Sequence, residues 1–288
     1  MTTLLVALDG TMSSERAVPI AREIATRSFC DLVLLRSSWD SSEEEAAAYL
    51  RGVPERYDLE LDTQAQVIHG FPGDAVNELA RTIGDAAICL TSHGRSAVGH
   101  YLLGGQSETI LAHAPVPVFV VGPEASTEWP AGGQIGVCVD ASSDPAVVAT
   151  FAAPWADRFG FEAEVVTVRA EDDRPVSRFH PASREQLNET VEQIEARGVR
   201  ARNFVLKEIQ PATRLARFAV DHRLALLVAE KHHGGAARDV LGSTTMNLIH
   251  RAPCPVLVPP HATERVPGPA DASGEARRER GGAASGTT

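Results

Sequence analysis

An internal repeat constrains the fold of this chain more than any other feature. In residues 87–121 an apolar run ends in a small polar turn, a glycine opens a helical pattern, and a proline ends that pattern before a second apolar run. The same order returns in residues 226–259. Gly104 and Gly242 stand 138 residues apart, and the two prolines that end the helical patterns have the same separation. A constant offset of this kind indicates a duplicated unit.

Each repeat alternates strand-like and helix-like patterns. Continuous apolar runs of strand length, such as residues 4–8, are typical of parallel strands that are covered on both faces. The alternation predicts an α/β fold of two tandem domains, residues 1–124 and 134–260, joined by a glycine- and proline-bearing linker at 125–133. Residues 261–288 carry almost no apolar side chains, and we expect them to be disordered.

The composition argues against several classes of protein. The formal charge of −11 opposes binding to nucleic acid, and no apolar run approaches the roughly 20 residues of a membrane-spanning helix. The amino terminus lacks the basic start and small-residue cleavage site of a signal peptide, which favours the cytoplasm. Lys207 and Lys231 are the two lysines, and neither lies in the G-x-x-x-x-G-K-[ST] pattern of a phosphate-loop NTPase. The four cysteines show neither a zinc spacing nor a disulfide framework.

Two aspartates and a glycine pair are candidates for a ligand site. Asp9 and Asp140 each follow the first strand of their repeat, and open α/β sheets bind ligands at the carboxyl ends of such strands. An aspartate at this place can instead bond its own turn. Gly104 and Gly105 at a helix start would let free backbone amides approach an anion such as a phosphate, and the neighbouring His93 could bond the phosphate or simply hold a turn. The sequence shows no arrangement of nucleophile, base and acid, so we do not expect an enzyme.

The motifs of the two repeats, taken in order along the chain, resemble those of the universal stress proteins in their tandem form. For each repeat the resemblance implies a flavodoxin-like/Rossmann-like domain, a five-stranded parallel sheet of flavodoxin-like order with helices on both faces. It also implies self-association, within one chain as a pseudo-dimer or between two chains as a homodimer. The motifs that carry the resemblance are residues 6–11, Gly70-Phe71-Pro72, His93-Gly94 nine residues before Gly104, and the Ala-Pro-x-Pro-Val endings at 114–118 and 252–256.

Many members of this family bind ATP through a G-x-x-G, nine-residue, G-[ST] loop, and Mg²⁺ would accompany the nucleotide. This chain departs from that pattern, because Thr91 replaces the first glycine, Gly105 replaces the hydroxyl residue, and Ala229 and His232 replace both early glycines of the second repeat. Carried over by position, the adenine-nucleotide site of the first repeat comprises Asp9, Gly10, Gly94, Gly104, Gly105, Gln106 and Ser107. The site of the second repeat comprises Asp140, Gly242, Ser243, Thr244 and Thr245.

Two functions of different class follow from the resemblance. One is a regulatory ATP-binding protein of the stress response, and the other is a degenerate scaffold that acts by dimerisation and protein–protein interaction. Fold analogy alone also admits a hydrolase or a flavin-type electron carrier. If nucleotide binds, we expect tighter binding in the first repeat, because Gly94 and Gly104 leave the phosphate approach open whereas four large side chains at 230–233 crowd the second. Residues 118–121 and 256–258 end their repeats, and we expect these edge strands to pair with each other.

Overall fold

The computed structural model describes residues 1–59, 63–92, 105–130, 133–169, 180–230 and 242–260, and across these ranges ten strands form one sheet. The strands are β1 (Thr3–Leu8), β2 (Asp31–Ser37), β3 (Gln64–Ile68), β4 (Ala86–Thr91), β5 (Val118–Val121), β6 (Gln134–Cys138), β7 (Glu162–Arg169), β8 (Ala201–Lys207), β9 (Leu224–Ala229) and β10 (Val256–Val258). The helices are α1 (Met12–Glu15), α2 (Ala17–Ser28), α3 (Glu43–Arg56), α4 (Pro72–Ile83), α5 (Gly105–His113), α6 (Pro145–Phe159), α7 (Arg184–Glu195), α8 (Pro211–Asp221) and α9 (Ser243–Arg251).

The two halves of the chain meet in the middle of this sheet. The strand order is β3-β2-β1-β4-β5-β10-β9-β6-β7-β8, so each half contributes five neighbouring strands. Within each half the paired strands are parallel, and β5 pairs with β10 antiparallel. The predicted α/β class is confirmed, and the terminal strands of the two repeats pair as expected.

The order within each half corrects one expectation. Both halves have the Rossmann-type order 3-2-1-4-5, and not the flavodoxin-like order 2-1-3-4-5. The burial of the strands gives the reason, because the first three residues of β3 are exposed whereas all six residues of β4 are buried. A strand with exposed polar residues suits the edge of a sheet, and a fully buried strand suits its centre beside β1.

Hydrophobic cores cover both faces of the sheet and run through both halves. The helices α2, α3, α6 and α7 pack on one face, and α4, α5, α8 and α9 pack on the other. On the first face, Phe119 of β5 meets Trp155 of α6 edge-to-face, with ring centroids 5.0 Å apart. The two halves therefore share their cores as well as a strand pairing.

Local sequence signals explain where several helices begin. Ser42 and Ser183 form capping boxes with Glu45 and Gln186, in which each hydroxyl and each long side chain satisfies a free backbone N–H. Asp144 caps α6 by accepting hydrogen bonds from the first backbone amides of that helix. Among the described helices, none is long and apolar enough to cross a lipid bilayer.

The described part of the predicted linker is packed against the second half. Ser126 N donates to the Pro253 carbonyl at 2.9 Å. The ring of Trp129 stacks on Phe161, with centroids 6.2 Å apart. Residues 125–130 are thus held in place by contacts. The predicted tail, residues 261–288, lies outside the described residues.

Candidate functional site

A cavity of about 250 Å³ lies at the carboxyl ends of the strands in the first half. The chain runs from β1 towards one edge of the sheet and crosses to the other side of β1 at β4, which creates a crevice between these two strands. Open α/β sheets bind ligands at such a crossover. The described lining comes from the ends of β1, β2, β3 and β4, the loops after them, and the helices α4 and α5.

Asp9 lines this cavity at the end of β1, and its two carboxylate oxygens differ in their surroundings. Oδ1 accepts hydrogen bonds from the Thr11 backbone N at 2.9 Å and from the Thr11 hydroxyl at 2.7 Å. Asp9 therefore stabilises the turn after β1, which was the alternative to ligand binding for this residue. In the part of the chain that the structure describes, Oδ2 has no hydrogen-bonding partner, so one oxygen remains available to a ligand.

Gly10 shapes the turn that positions this aspartate. Its φ of +86° lies in the left-handed region that favours glycine, and a Cβ added to it would stand 2.8 Å from Arg36 Cζ. The guanidinium of Arg36 in turn lies over the Tyr49 ring, 4.8 Å from its centroid. Gly10 does not belong to the described lining of the cavity.

The start of α5 brings three predicted residues to the opposite side of the cavity. A Cβ added to Gly105 would meet no heavy atom within 4 Å, so the space beside this residue is open. Gln106 Oε1 accepts a hydrogen bond from Gly73 N at 3.2 Å, which ties α5 to the start of α4. Ser107 Oγ donates to the Thr91 carbonyl at 3.0 Å. Because that bond uses its single proton, Ser107 can offer a ligand only an acceptor and does not replace the hydroxyl donor missing at position 105.

Sequence reasoning missed the aromatic and apolar walls of the cavity. Trp39 and Asp40 follow β2 and line it. Phe71, the N-cap residue of α4, lies edge-on to Trp39 with ring centroids 5.9 Å apart. The available signal was an aromatic residue after the polar end of an apolar run, which is not specific to any ligand. The apolar wall comprises Ile68, Val76, Leu90 and Ile110.

The matching crevice of the second half is nearly filled, with a volume of about 30 Å³. Asp140 lies buried in its lining, and its Oδ1 accepts hydrogen bonds from Ser142 N at 2.8 Å and Ser142 Oγ at 2.6 Å, which repeats the turn of the first half. The Glu230 carboxylate also lines this crevice, and its Oε2 accepts a hydrogen bond from the Ser143 hydroxyl at 2.7 Å. The Glu230 carboxylate thus forms part of the wall of this crevice.

A short segment before α7 is tied to the same crevice. Pro181 forms an isolated β-bridge with Asp140. Ala182 N donates to Thr167 Oγ1 at 3.0 Å. Asp140 and Thr167 both line the crevice, at the ends of β6 and β7. Residues 181 and 182 are therefore tied to two residues of the crevice wall.

The start of α9 retains the hydroxyl residues that the family pattern requires. Gly242 is the N-cap residue and has no side chain with which to cap the helix. Ser243 is exposed, and Thr244 lines the small crevice. Thr245 is buried and its Oγ1 donates to the Glu230 carbonyl at 3.0 Å, as the serine at the matching place in α5 does in the first half. This hydroxyl therefore links the start of α9 to the residue after β9.

The described walls of the two crevices carry carboxylates, hydroxyls and one thiol. In the ranges that the structure covers, no group of three or more His, Cys, Asp or Glu residues could hold a metal ion. Burial raises the pKa of Cys138, beside the second crevice, to about 12, so this thiol stays protonated and unreactive at neutral pH. The sequence candidates that lie outside the described residues are His93, Gly94, Gly104, Lys231, His232 and His233.

A family model described as the universal stress protein family matches residues 1–122 and 133–260. The chain belongs to the universal stress protein family. This universal stress protein is 26% identical over 207 residues to a universal stress protein of Mycobacterium tuberculosis, and the match covers 67% of this chain. The chain spans 64% of the length of that relative.

Solved structures show the same fold. A universal stress protein from Archaeoglobus fulgidus matches with a TM-score of 0.65 at 18% identity, over 91% of this chain and 97% of that one. A Pseudomonas aeruginosa protein of unknown function matches with a TM-score of 0.62 at 16% identity, over 91% of this chain and 93% of that one. The tandem α/β architecture of this universal stress protein therefore recurs in proteins of very different sequence.

Proposed function

We propose that this universal stress protein is a regulatory protein whose first half binds an adenine nucleotide, with ATP as the candidate ligand. The unequal pair of crevices carries the proposal, because the first measures about 250 Å³ and the second about 30 Å³. The larger crevice combines apolar walls, the Asp9 carboxylate and the start of α5 at the crossover of the sheet. This combination suits a ligand with an apolar planar part, hydrogen-bond donors and an anionic end.

Each part of a nucleotide has a counterpart in this cavity. The apolar wall suits the base, and Asp9 Oδ2 can accept a hydrogen bond from a ribose hydroxyl or from a base amino group. The first backbone amides of α5 suit the phosphates, because a helix N-terminus carries partial positive charge. Asp9 and Asp40 both line the cavity and repel phosphates, which directs them towards α5. Any Mg²⁺ would enter as a counter-ion of the phosphates.

The second half fits the alternative expectation of a scaffold. Its crossover point holds Glu230, bonded to Ser143, and residues 180–182 are tied across the ends of the neighbouring strands. We propose that this half contributes a rigid support through the β5–β10 pairing and does not bind nucleotide itself. The working unit would then be one chain that acts as a pseudo-dimer with one open site.

The direct test is mass analysis of small molecules released from purified, denatured protein. We expect an adenine nucleotide at close to one molecule per chain, recovered without hydrolysis because binding and not turnover is the proposed role. Two nucleotides per chain would contradict the assignment to a single half. If the native protein releases none, and calorimetric titration with added ATP also shows no binding, the proposal fails.

Matched variants identify the half that binds. Asp9→Asn keeps an oxygen for the Thr11 contacts but replaces the free carboxylate oxygen with an amide nitrogen. A hydrogen bond to a charged group is worth roughly 1.5–3 kcal/mol, so the affinity for ATP should fall about tenfold or more. Asp140→Asn is the corresponding substitution at the end of β6 and should leave the affinity unchanged. The reverse outcome would place the site in the second half.

A further inference from the structure

An exposed aromatic pair stands at the first cavity. Trp39 is 63% exposed and Phe71 is 39% exposed, although both are large apolar side chains. Their ring centroids lie 5.9 Å apart at an interplanar angle of 83°, so the edge of one ring meets the face of the other. Trp39 also lines the cavity. An exposed indole at the mouth of a ligand-sized cavity is a surface on which a planar group can stack.

Hydrogen bonds fix the backbone that carries each of the two rings. The buried Ser37 hydroxyl accepts a hydrogen bond from Trp39 N at 3.1 Å and donates one to the Gly70 carbonyl at 2.7 Å. One hydroxyl therefore joins the segment after β2 to the segment before α4. Gly70 has a φ of +95°, a left-handed conformation that places Phe71 at the N-cap of α4. The backbone at Trp39 is thus held in position before any ligand arrives.

The two halves differ in the residue that precedes their matching helices α4 and α8. The helices α4 and α8 occupy the same place in their halves, and both begin with proline. The N-cap residue before that proline is Phe71 in the first half and Gln210 in the second. The aromatic N-cap residue therefore accompanies the open cavity of about 250 Å³, and the polar one accompanies the crevice of about 30 Å³.

We propose that Trp39 is the stacking platform for the base of the bound nucleotide, with Phe71 supporting its orientation. This inference rests on the proposed nucleotide-binding function and defines the ligand class further. The base enters between the indole and the apolar wall formed by Val76, Leu90 and Ile110, and Asp9 accepts from the sugar or from the base. The site accordingly selects ligands by a planar base and rejects those that offer phosphates alone.

Intrinsic fluorescence of the intact protein reports the proposed contact. Trp39 is exposed, whereas Trp155 is buried and Trp129 is packed among phenylalanines, so Trp39 is the tryptophan that a ligand in this cavity reaches. We expect ATP and AMP to quench the emission and inorganic triphosphate to leave it unchanged. Equal quenching by triphosphate and by ATP would overturn the proposal, because a ligand without a base would then produce the same signal.

Calorimetric titration of variants with ATP separates stacking from the rest of the site. Trp39→Ala should weaken binding about 5- to 100-fold, the range for loss of one base–aromatic stack, and Trp39→Phe should restore most of the affinity. Phe29→Ala is the matched control, since Phe29 is 95% exposed, lies at the end of α2 and does not line the cavity. It should bind ATP as the native protein does.

The outcomes distinguish this inference from the function on which it rests. If native protein binds ATP and Trp39→Ala binds it equally well, the stacking role is wrong and the nucleotide site stands. If native protein does not bind ATP at all, both proposals are wrong. Circular dichroism of each variant establishes that it is folded, which the exposure of Trp39 leads us to expect.

Discussion

Glu164 introduces a buried charge at a position that is apolar in the first half. It is the third residue of β7, and Val33 holds the same place in β2. Its side chain is fully buried, Oε1 accepts a hydrogen bond from Arg202 Nη2 at 2.7 Å, and Oε2 lies 2.7 Å from His222 Nδ1. Arg202 is more than half exposed. The buried carboxylate thus needs Arg202 as a charged partner, whereas water can solvate the exposed part of Arg202 if the carboxylate is removed.

Removal of each partner should therefore have different consequences. Arg202→Ala removes the charged partner of Glu164 Oε1, and we expect a loss of about 2–3 kcal/mol in the free energy of unfolding, less than the roughly 3–5 kcal/mol of a fully buried pair because the arginine is partly solvated. Glu164→Val copies the residue of the first half and should change the free energy of unfolding by less than about 1 kcal/mol in either direction. Urea unfolding of both variants measures the difference. A larger loss for Glu164→Val than for Arg202→Ala would contradict this account.

Glu15 carries a pH-dependent interaction in the first half. Burial alone would raise the pKa of its carboxyl, but the hydrogen bond and the positive charge of Arg56, whose Nη2 lies 2.6 Å from Oε1, act against burial, and the pKa is lowered overall. A carboxyl whose pKa is lower in the folded state contributes stability that is present above its unfolded pKa of about 4.3. That contribution disappears as the pH falls through the folded pKa.

Glu15→Gln should consequently flatten the decrease in melting temperature below about pH 4.5, because the variant has no carboxyl to protonate at this place. At neutral pH the same variant should melt at a lower temperature than the native protein. Thermal unfolding followed by circular dichroism between about pH 3 and 7 tests both effects. Glu44→Gln, at an exposed position of α3, is the control and should retain the native pH profile. An unchanged slope for Glu15→Gln would show that other carboxyl groups dominate acid unfolding.

At the residue scale, sequence reasoning located some groups and missed their partners. Asp9 was predictable because an aspartate after a buried first strand faces the ligand edge of any such sheet. The use of the Ser107 proton was not predictable, since it depends on the Thr91 carbonyl being brought near by tertiary packing. The position of Glu230 in the second crevice depends in the same way on Ser143, 87 residues away in sequence. Such pairings have no local signature.

At the element scale, the strands and helices followed from the period of apolar residues and from helix caps. The helix α7, for example, spans Arg184–Glu195, where Ser183 caps its start and Gly198 follows shortly after its end. The sequence alone did not reveal the position of β3 at the edge, which corrected the expected strand order. The order of strands in a sheet depends on which strands are buried on both faces. The polar residues at the start of β3 could have indicated an edge strand.

Gly122 lies where two elements from different halves approach each other closely. It follows β5, and a Cβ added to it would overlap the carbonyl oxygen of Ile249 in α9. Glycine is required here by the close approach of two backbones. Gly122→Ala should therefore lower the free energy of unfolding by about 1–3 kcal/mol, the usual cost of overpacking.

The control for this substitution is Gly105→Ala, whose new methyl group would meet no heavy atom within 4 Å. Because alanine is also the better helix former, it should leave stability unchanged or raise it by up to about 1 kcal/mol. Thermal unfolding of both variants measures the difference in stability. Equal melting temperatures would show that α9 can move away from β5 at little cost.

At the scale of the whole molecule, the described parts of the two halves are joined by several contacts. Arg158 of α6 donates to the carbonyl of Met1 at 3.3 Å and to that of Ser28 at 3.4 Å, and Arg16 donates to the Ala125 carbonyl at 2.7 Å. These contacts add to the shared cores and the β5–β10 pairing. Duplication has thus given a framework whose two crossover points differ, since one opens into a cavity of about 250 Å³ and the other into a crevice of about 30 Å³ whose wall includes Glu230.

A fragment of residues 1–125 tests how far the first half depends on the second. In this fragment β5, whose four residues are all buried in the full chain, lacks its partner strand β10. Phe119 also loses its contact with Trp155. An uncovered apolar edge strand pairs with any matching strand, and the antiparallel β5–β10 register offers a geometry for two copies of β5. We expect sedimentation equilibrium to give the mass of a dimer for the fragment. A freely soluble fragment that stays monomeric over the same concentrations would show that the first half does not need a partner at this edge.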